Sequence, residues 1–313
     1  MRGTKLVRFV PMTVAVLPSD EEIRSLVPGP DTVLWRYGAD ARLMATSGYA
    51  LALQVTHPVV GAGVREHSDY ASDPWGRLLR TLDYVYVMAY GGPDAAAVTG
   101  RRLREMHKQI KGVDPEGRRY HALEPEPYAW VHATLVDAIV TGHRRFGRRL
   151  SAEQIDELYA EWRALGRVIG VREQDLPETW AGFREYFDRM VADRLEDNDV
   201  IHGVLATLTK PAKPPIPMLG DRAWRVARFP MARLFSLATV GLLPPLLRER
   251  CGLRWTRAQE RELRALGAAS RAATPLMPAR LRNVSGPYLR WRRKALARGD
   301  AVAHAPGELA SAA

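Results

Sequence analysis

Three blocks between residues 56 and 111 decide how this 313-residue chain folds. They read T-H-P-V-V-G-A-G-V-R-E-H-S-D-Y at 56–70, D-P-W-G-R-L-L-R-T-L-D-Y at 73–84 and R-R-L-R-E-M-H-K-Q-I-K at 101–111. Asp73 followed by proline is typical of an N-cap and a first helical residue, so a helix is predicted to begin there and to end at Gly91. A second helix is predicted to follow the G-G-P-D turn. We interpret the pair as two helices that face each other.

The remaining sequence also has helical periodicity. From Thr32 to Thr56, apolar residues recur at three- and four-residue steps, which predicts one buried helix. Gly48 within it indicates the close approach of another backbone or of a flat ring. Ser151 and Gln154 resemble a capping box at the start of a later helix. Because no stretch alternates with period two for long and β-branched residues rarely cluster, the fold class is predicted to be all-α.

Proline and glycine divide the chain into three parts. Residues 1–27 are predicted to be a disordered or extended leader, because charge and proline interrupt its apolar run and no cleavage site of small residues follows. Residues 28–250 are predicted to form a single multi-helix domain, opened by the V-P-G-P-D signal. Residues 251–313 are predicted to add helices at about 256–272 and 287–298, packed on that domain, and a frayed tail.

The composition excludes several classes of protein. The single cysteine, Cys251, excludes a disulfide framework and any cysteine-rich zinc or iron–sulfur site, and it fits a reducing compartment. No apolar run is long enough to span a bilayer, and a cytoplasmic location is predicted. The net charge of +11 and the pI of about 10.0 indicate an anionic partner or, as the simpler alternative, a solvated basic face.

The motifs of hydrolytic and nucleotide chemistry are missing from the sequence. None of the eight histidines lies in H-E-x-x-H or at zinc-binding spacing, and there is no G-x-S-x-G, Walker loop or G-x-G-x-x-G. Hydrolases, nucleotidases and nicotinamide-dependent enzymes are therefore disfavoured.

One histidine and two arginines are the strongest chemical candidates. His107 has Leu103 and Ile110 at helical spacing, so its imidazole lies at the boundary of an apolar face, where a core or surface histidine is the simpler alternative. Arg77 and Arg80 lie near the start of a helix, where cations are unfavourable, so a carboxylate, a propionate or dioxygen should compensate their charge. An imidazole opposite such donors, on two apolar helices, is what a haem pocket requires.

Five blocks, in this order along the chain, resemble a family of bacterial proteins. The blocks are T-H-P-x-V-x-x-G-V-x-E-H-S-D-Y, D-P-x-G-R-L-x-R-T, L-x-x-x-H-x-x-I-K-G, R-x-Y-x-A-L-x-P-E and W-V-H-A-T-L-V-D. Over about residues 28–250 the chain resembles the domain shared by rubber oxygenase (latex clearing protein) and the MpaB-type oxygenases. The resemblance implies a helical fold with a globin-like core around haem b.

The same resemblance implies roles for individual residues. His107 stands where the proximal haem ligand of the family is expected, and it would bind the iron. Arg77, Arg80 and Thr81 look like the distal Arg, Lys and Thr of rubber oxygenase. Arg80 replaces the lysine, and because a guanidinium and an ammonium differ in shape and hydration, substrate and reaction are not carried over.

Other side chains would complete such a site. Glu66 or His67 would supply a base, and the spacing leaves both open. Tyr84, Met88 and the Y-A-L-A-L helix would provide apolar walls that keep water away from reactive species.

Two arginines on the helix of His107 are expected to pair with the haem propionates, namely Arg101 and Arg104. The sequence thus predicts a haem-b-dependent oxygenase that activates dioxygen or peroxide to oxidise an apolar organic substrate, such as a small hydrophobic metabolite or a lipid. Cleavage of polyisoprene is not favoured, because rubber oxygenases are secreted and no export signal is recognised here.

Two other functions compete with this prediction. The first is a non-enzymatic haem- or lipid-binding protein at the membrane surface, in contact through the Phe- and Leu-rich segment 229–247, unless that segment is a packed helix. The second is a nucleic-acid-binding module that uses the basic stripes at 101–111 and 290–298. No recognised nucleic-acid motif accompanies these stripes, so this function ranks last.

Overall fold

A computed structural model describes residues 17–214, 219–278 and 282–297 of the chain. Within those residues the protein consists of fourteen α-helices, three short 3-10 helices and one small hairpin, which confirms the predicted all-α single domain. The α-helices are α1 (Asp20–Leu26), α2 (Val33–Tyr37), α3 (Ser47–Val55), α4 (Pro58–His67), α5 (Pro74–Tyr90), α6 (Pro93–Lys108), α7 (Pro125–Arg145), α8 (Ala152–Val168), α9 (Trp180–Asp193), α10 (Asp199–Thr209), α11 (Asp221–Leu242), α12 (Pro245–Arg250), α13 (Arg257–Ala272) and α14 (Ser285–Ala297). The 3-10 helices are Ala41–Thr46, Glu173–Asp175 and Thr274–Leu276.

The hairpin follows α6 directly. Its strands, β1 (Lys111–Val113) and β2 (Arg119–His121), pair antiparallel with Gly112 opposite Tyr120. The turn between them includes Gly117, whose φ of 79° lies in the left-handed region that favours glycine. With three residues in each strand, the hairpin forms no layer of its own. Its role in the fold is to bring Tyr120 back towards α4, with which β2 is in contact.

Helix α7 is the centre of the core. It is buried along most of its length and packs against α3, α8 and the first 3-10 helix. Trp130 is fully buried and donates from its indole nitrogen to the Leu53 carbonyl at 2.9 Å. The ring of His132 stacks on that of Trp162 with centroids 4.8 Å apart. Each of these two side chains also hydrogen-bonds the other residue's carbonyl, which fixes α8 on α7.

The single helix predicted from Thr32 to Thr56 is wrong, because the segment contains α2, a 3-10 helix and α3. The break falls at Asp40, whose extended backbone pairs with Asn283 in an isolated bridge. The Asp40 carboxylate accepts the backbone N–H of Arg42 at 3.0 Å and so starts the next turn. Periodicity alone could not reveal this break, since the apolar spacing continues through it.

Gly48 in α3 marks a close approach, but the predicted backbone or flat ring is wrong. A Cβ at this position would overlap the hydroxyl oxygen of Thr239 on α11. The approaching group is therefore a side chain of a packed helix, and neither a backbone nor a flat ring. The predicted capping box at Ser151 and Gln154 is present at the start of α8.

The two ends of the chain add packed helices to the domain. α1 has its own capping box, formed by Ser19 and Glu22, and packs on α6 and α8, so the predicted leader ends in an ordered helix. Near the other end, α13 packs on α7 and α11, and α14 packs on α5. Residues 1–16 and 298–313, which include most of the predicted leader and the predicted tail, lie outside the described residues.

Helices α5 and α6 pack against each other, as predicted, across a turn that uses Gly92 at φ 86°. Asp73 caps α5 by accepting the N–H of Gly76 at 2.9 Å. Every residue at 74–85 is half-buried, whereas 86–90 are buried. The start of α5 is therefore less tightly enclosed than its end, and its side chains remain accessible beside α6.

The segment 229–247, for which the sequence left a packed helix and a membrane contact as alternatives, is buried in part. Leu237, Leu243 and Leu247 are buried, while Phe229 at its start is exposed. Across the described part of the chain, no helix combines the length and apolar character that crossing a bilayer requires.

Candidate active site

His107 lies in the last turn of α6 and is held by its own helix. Its Nδ1 is 2.7 Å from the carbonyl oxygen of Leu103. Because a carbonyl can only accept, Nδ1 must carry the proton, and Nε2 keeps its lone pair. Nε2 has no hydrogen-bond partner among the residues that the structure describes.

The surroundings of His107 favour its neutral form. Burial lowers its pKa, and the nearby positive charge of Arg77 acts in the same direction. The ring of Tyr128 on α7 meets the imidazole edge-on, with centroids 5.6 Å apart. The Tyr128 hydroxyl is in turn anchored on the Ile169 carbonyl at 2.9 Å. The result is a neutral, oriented imidazole with one free nitrogen, which is the form that coordinates metals.

Arg77 is a cation whose charge acts on this site. From the first turn of α5 its Nη1 donates to the hydroxyl of Thr81, and its Nε donates to Ser68 Oγ at 3.3 Å. Burial lowers the pKa of Arg77, and among the described residues no carboxylate forms an ion pair with it. A half-buried guanidinium without a counter-ion can donate to an anionic or polar ligand placed between α5 and His107.

Arg80 has a different environment, although it lies one turn further along the same helix. Its guanidinium binds both carboxylate oxygens of Asp69 and lies 3.4 Å from Asp73. Two carboxylates therefore compensate the positive charge that Arg80 places near the start of a helix. Arg80 fastens the loop at 69–73 to α5.

Glu66 and His67, at the end of α4, share one partner. The Tyr120 hydroxyl donates to Glu66 Oε2 and lies 3.1 Å from His67 Nε2. A phenol has one proton to donate, so the imidazole must donate to Tyr120 and the carboxylate is the final acceptor. Burial and the bond to Glu66 raise the pKa of Tyr120 to about 12, so Tyr120 stays protonated.

The predicted apolar walls are only partly next to His107. The Tyr84 hydroxyl lies 4.0 Å from Met106 Sδ, one residue before His107, and burial raises the pKa of Tyr84. Met88 is buried in the main core near the end of α5. The structure thus brings Tyr84 towards the candidate site and places Met88 among core side chains.

The two arginines predicted to meet propionates also differ. Arg101 is exposed and pairs with Asp20 of α1 at 2.7 Å. Arg104 is only 7% exposed, and it forms no hydrogen bond or ion pair with any described residue. Its Nη1 lies beside Gly170, where a Cβ would be 2.6 Å away. No described carboxylate pairs with Arg104 and none of its nitrogens is fully enclosed, so its guanidinium can bind an anionic ligand.

Sequence reasoning missed Tyr120, Ser68 and Tyr128. The R-x-Y block contains Tyr120, but nothing in the sequence shows that the hairpin folds back onto α4. Among the described residues, no cluster of three or more His, Cys, Asp or Glu side chains could hold a metal ion. A haem iron can be held by a single histidine, and His107 with its free Nε2 fits that role.

Comparison with known proteins places the chain among helical oxygenases. It belongs to the family described as ER-bound oxygenase mpaB/B'/Rubber oxygenase, catalytic domain, whose model matches residues 35–272. The match includes α3 to α13 and therefore all of the candidate site. It supports an oxygenase and confirms the resemblance seen in the five blocks.

Two mycobacterial proteins are similar to this chain. They are the uncharacterized protein Rv2237 of Mycobacterium tuberculosis and the uncharacterized protein Mb2261 of Mycobacterium bovis. Each is 28% identical over 233 residues, which cover 73% of this chain and 87% of the relative. No solved structure matches the chain.

Proposed function

We propose that this protein is a haem-b-dependent oxygenase that uses dioxygen to oxidise a small apolar substrate, with His107 as the iron ligand. The observation that carries the proposal is the bond from His107 Nδ1 to the Leu103 carbonyl, which leaves Nε2 free and basic. A backbone carbonyl in this position is a common way to orient a metal-ligating histidine.

The residues around His107 fit haem in two further respects. Arg104, buried and unpartnered among the described residues, would pair with a propionate, and it suits this role better than the exposed Arg101. Tyr128 would keep the imidazole plane fixed. When bound, the haem iron would supply the activation of dioxygen, a reaction that side chains cannot perform by themselves.

Arg77 and Thr81 would act on an oxygen ligand when the haem is bound. The Thr81 hydroxyl accepts from the Arg77 guanidinium and donates to the Arg77 carbonyl at 3.0 Å, so Thr81 orients Arg77 and the guanidinium is the donor that remains for a ligand. Preorganised donors stabilise negative charge that develops on oxygen. Arg80, held by Asp69 and Asp73, would keep the start of α5 in place.

The chain from His67 through Tyr120 to Glu66 would handle a proton. Glu66 Oε2 is its final acceptor, so a proton taken from the substrate would reside on that oxygen. The bond from Arg77 to Ser68, which follows His67, links this chain to the guanidinium. The sequence did not decide whether Glu66 or His67 is the base that accepts this proton. The direction of the hydrogen bonds favours Glu66.

Gas affinities of the reduced, haem-loaded protein test the role of Arg77. Bound dioxygen is polar and gains from a donor, whereas carbon monoxide gains little. We expect Arg77→Ala to weaken dioxygen affinity about 10- to 100-fold, because a hydrogen bond from a charged donor contributes about 1.5–3 kcal/mol. Carbon monoxide affinity should change little.

Arg101→Ala is the control, since it removes a guanidinium that is exposed and already paired with Asp20. It should leave the ratio of the two affinities unchanged. Equal effects of both variants on dioxygen, or none from Arg77→Ala, would refute the assignment of Arg77. Substrate-dependent oxygen uptake by the wild type would then separate an enzyme from a haem-binding protein.

A further inference from the structure

The first ten residues of α11 form a surface that is both basic and apolar. All of residues 221–230 are exposed except Trp224, which is buried. Val226 is 73% exposed and Phe229 is 64% exposed. At about 100° per residue, Arg222, Val226 and Phe229 lie on one side of the helix, opposite Trp224. The outward face therefore presents apolar side chains where a polar face is usual.

Three arginines of this segment keep their charge uncompensated. Arg222, Arg225 and Arg228 are all exposed, and no described carboxylate pairs with any of them. The guanidinium of Arg228 lies 4.9 Å from the ring centre of Phe229. The one acidic residue of the segment, Asp221, is already bound by a lysine at 2.6 Å.

The surface also lies in the basic part of the molecule. Residues 221–298 contain 18 Lys and Arg and 4 Asp and Glu, a net charge of +14. The whole chain has +11, so the remaining residues together carry −3. The positive charge is thus concentrated in the part of the sequence to which α11 belongs.

We propose that residues 222–229 of α11 bind the surface of an anionic lipid membrane. The three arginines would contact lipid phosphates, while Val226 and Phe229 would enter the boundary between headgroups and acyl chains. A nucleic acid could bind the three arginines through its phosphates. It would not provide an apolar environment for the outward side chains of Val226 and Phe229. The inference is independent of haem and of oxygenase activity.

Flotation of the full-length protein with lipid vesicles tests the proposal. We expect binding to phosphatidylcholine vesicles that contain phosphatidylserine, weak binding to pure phosphatidylcholine, and partial release by salt. Each arginine near an anionic surface should contribute about fivefold to the affinity. The triple variant Arg222→Ser/Arg225→Ser/Arg228→Ser should therefore weaken binding about 100-fold. Val226→Ser/Phe229→Ser should weaken it about tenfold without any change of charge.

A triple variant of α13 is the matched control. Arg257→Ser/Arg261→Ser/Arg264→Ser removes the same charge from exposed arginines of the same basic region. We expect it to weaken binding far less than the α11 triple variant. Equal losses from both triples, no effect of Val226→Ser/Phe229→Ser, or no binding to phosphatidylserine vesicles would overturn the proposal. So would DNA binding that depends on the three α11 arginines while vesicle binding does not.

Discussion

Three histidines are kept neutral by burial, and one of them is the proposed iron ligand. Burial lowers the pKa of His107, His132 and His143, in the case of His132 to about 4. Each ring also has one nitrogen beside a backbone carbonyl. The fold therefore fixes the protonation state of these side chains together with their orientation.

The lowered pKa of His132 predicts how stability depends on pH. The folded-state pKa lies below the unfolded value of about 6.5, so between about pH 4 and 6.5 the unfolded chain binds the extra proton. Stability is therefore lost as the pH falls through this window, by about 1.4 kcal/mol per pH unit from this residue.

His132→Gln keeps a donor for the Trp162 carbonyl but cannot titrate. Urea unfolding of the haem-free protein measures this effect between about pH 4 and 6.5. The unfolding free energy of the variant should change less with pH than that of the wild type, by about 1.4 kcal/mol per pH unit. Parallel curves for wild type and variant would show that His132 is not buried in its neutral form.

Some residues of the site could be predicted from the sequence, and others could not. His107 and Arg77 stand in recognisable blocks on amphipathic helices. Their hydrogen bonds within the helix, to Leu103 and Thr81, depend on side-chain rotation, which spacing does not determine. The partnership of Tyr120 with Glu66 joins residues 54 positions apart, and no local pattern indicates it.

The contact between α3 and α11 shows how closely the elements are fitted. Gly48 leaves no room for a methyl group beside Thr239. We expect Gly48→Ala to destabilise the protein by about 1–3 kcal/mol, because the two helices must separate slightly. Chemical unfolding measures this effect.

Two further variants isolate the cause. Thr239→Ala removes the overlapping hydroxyl, so the double variant Gly48→Ala/Thr239→Ala should recover much of the loss. Gly29→Ala, at a position where a Cβ would meet no atom within 4 Å, should be nearly neutral. If Gly48→Ala were also neutral, or if Thr239→Ala gave no recovery, the close contact would be refuted.

At the scale of elements, sequence located helix starts better than it located breaks. Asp73 and Ser151 cap the predicted helices because caps are local hydrogen bonds. The break at Asp40 depends on Asn283, more than 200 residues away, and the apolar periodicity continues across it. The sequence also left the segment 229–247 open between a packed helix and a membrane contact, since an apolar helix looks the same whether it faces the core or a lipid.

For the whole molecule, the sequence establishes that the chain is all-α and basic. The family match confirms the kind of domain over residues 35–272. What only the folded structure adds is the contact of Tyr128 on α7 with the His107 imidazole and the contact of Tyr120 in the hairpin with Glu66 and His67 on α4. The folded structure is also needed to see that the core covers the later turns of α11 and leaves its first turns exposed.

The absorption spectrum and haem content of wild type and His107→Ala, each loaded with hemin, test the central claim most directly. The wild type should bind one haem per chain with the Soret band of a histidine-ligated iron. His107→Ala should lose that band or shift it, and added imidazole should restore it. If His107→Ala instead retains stoichiometric haem with an unchanged spectrum, His107 is not the iron ligand.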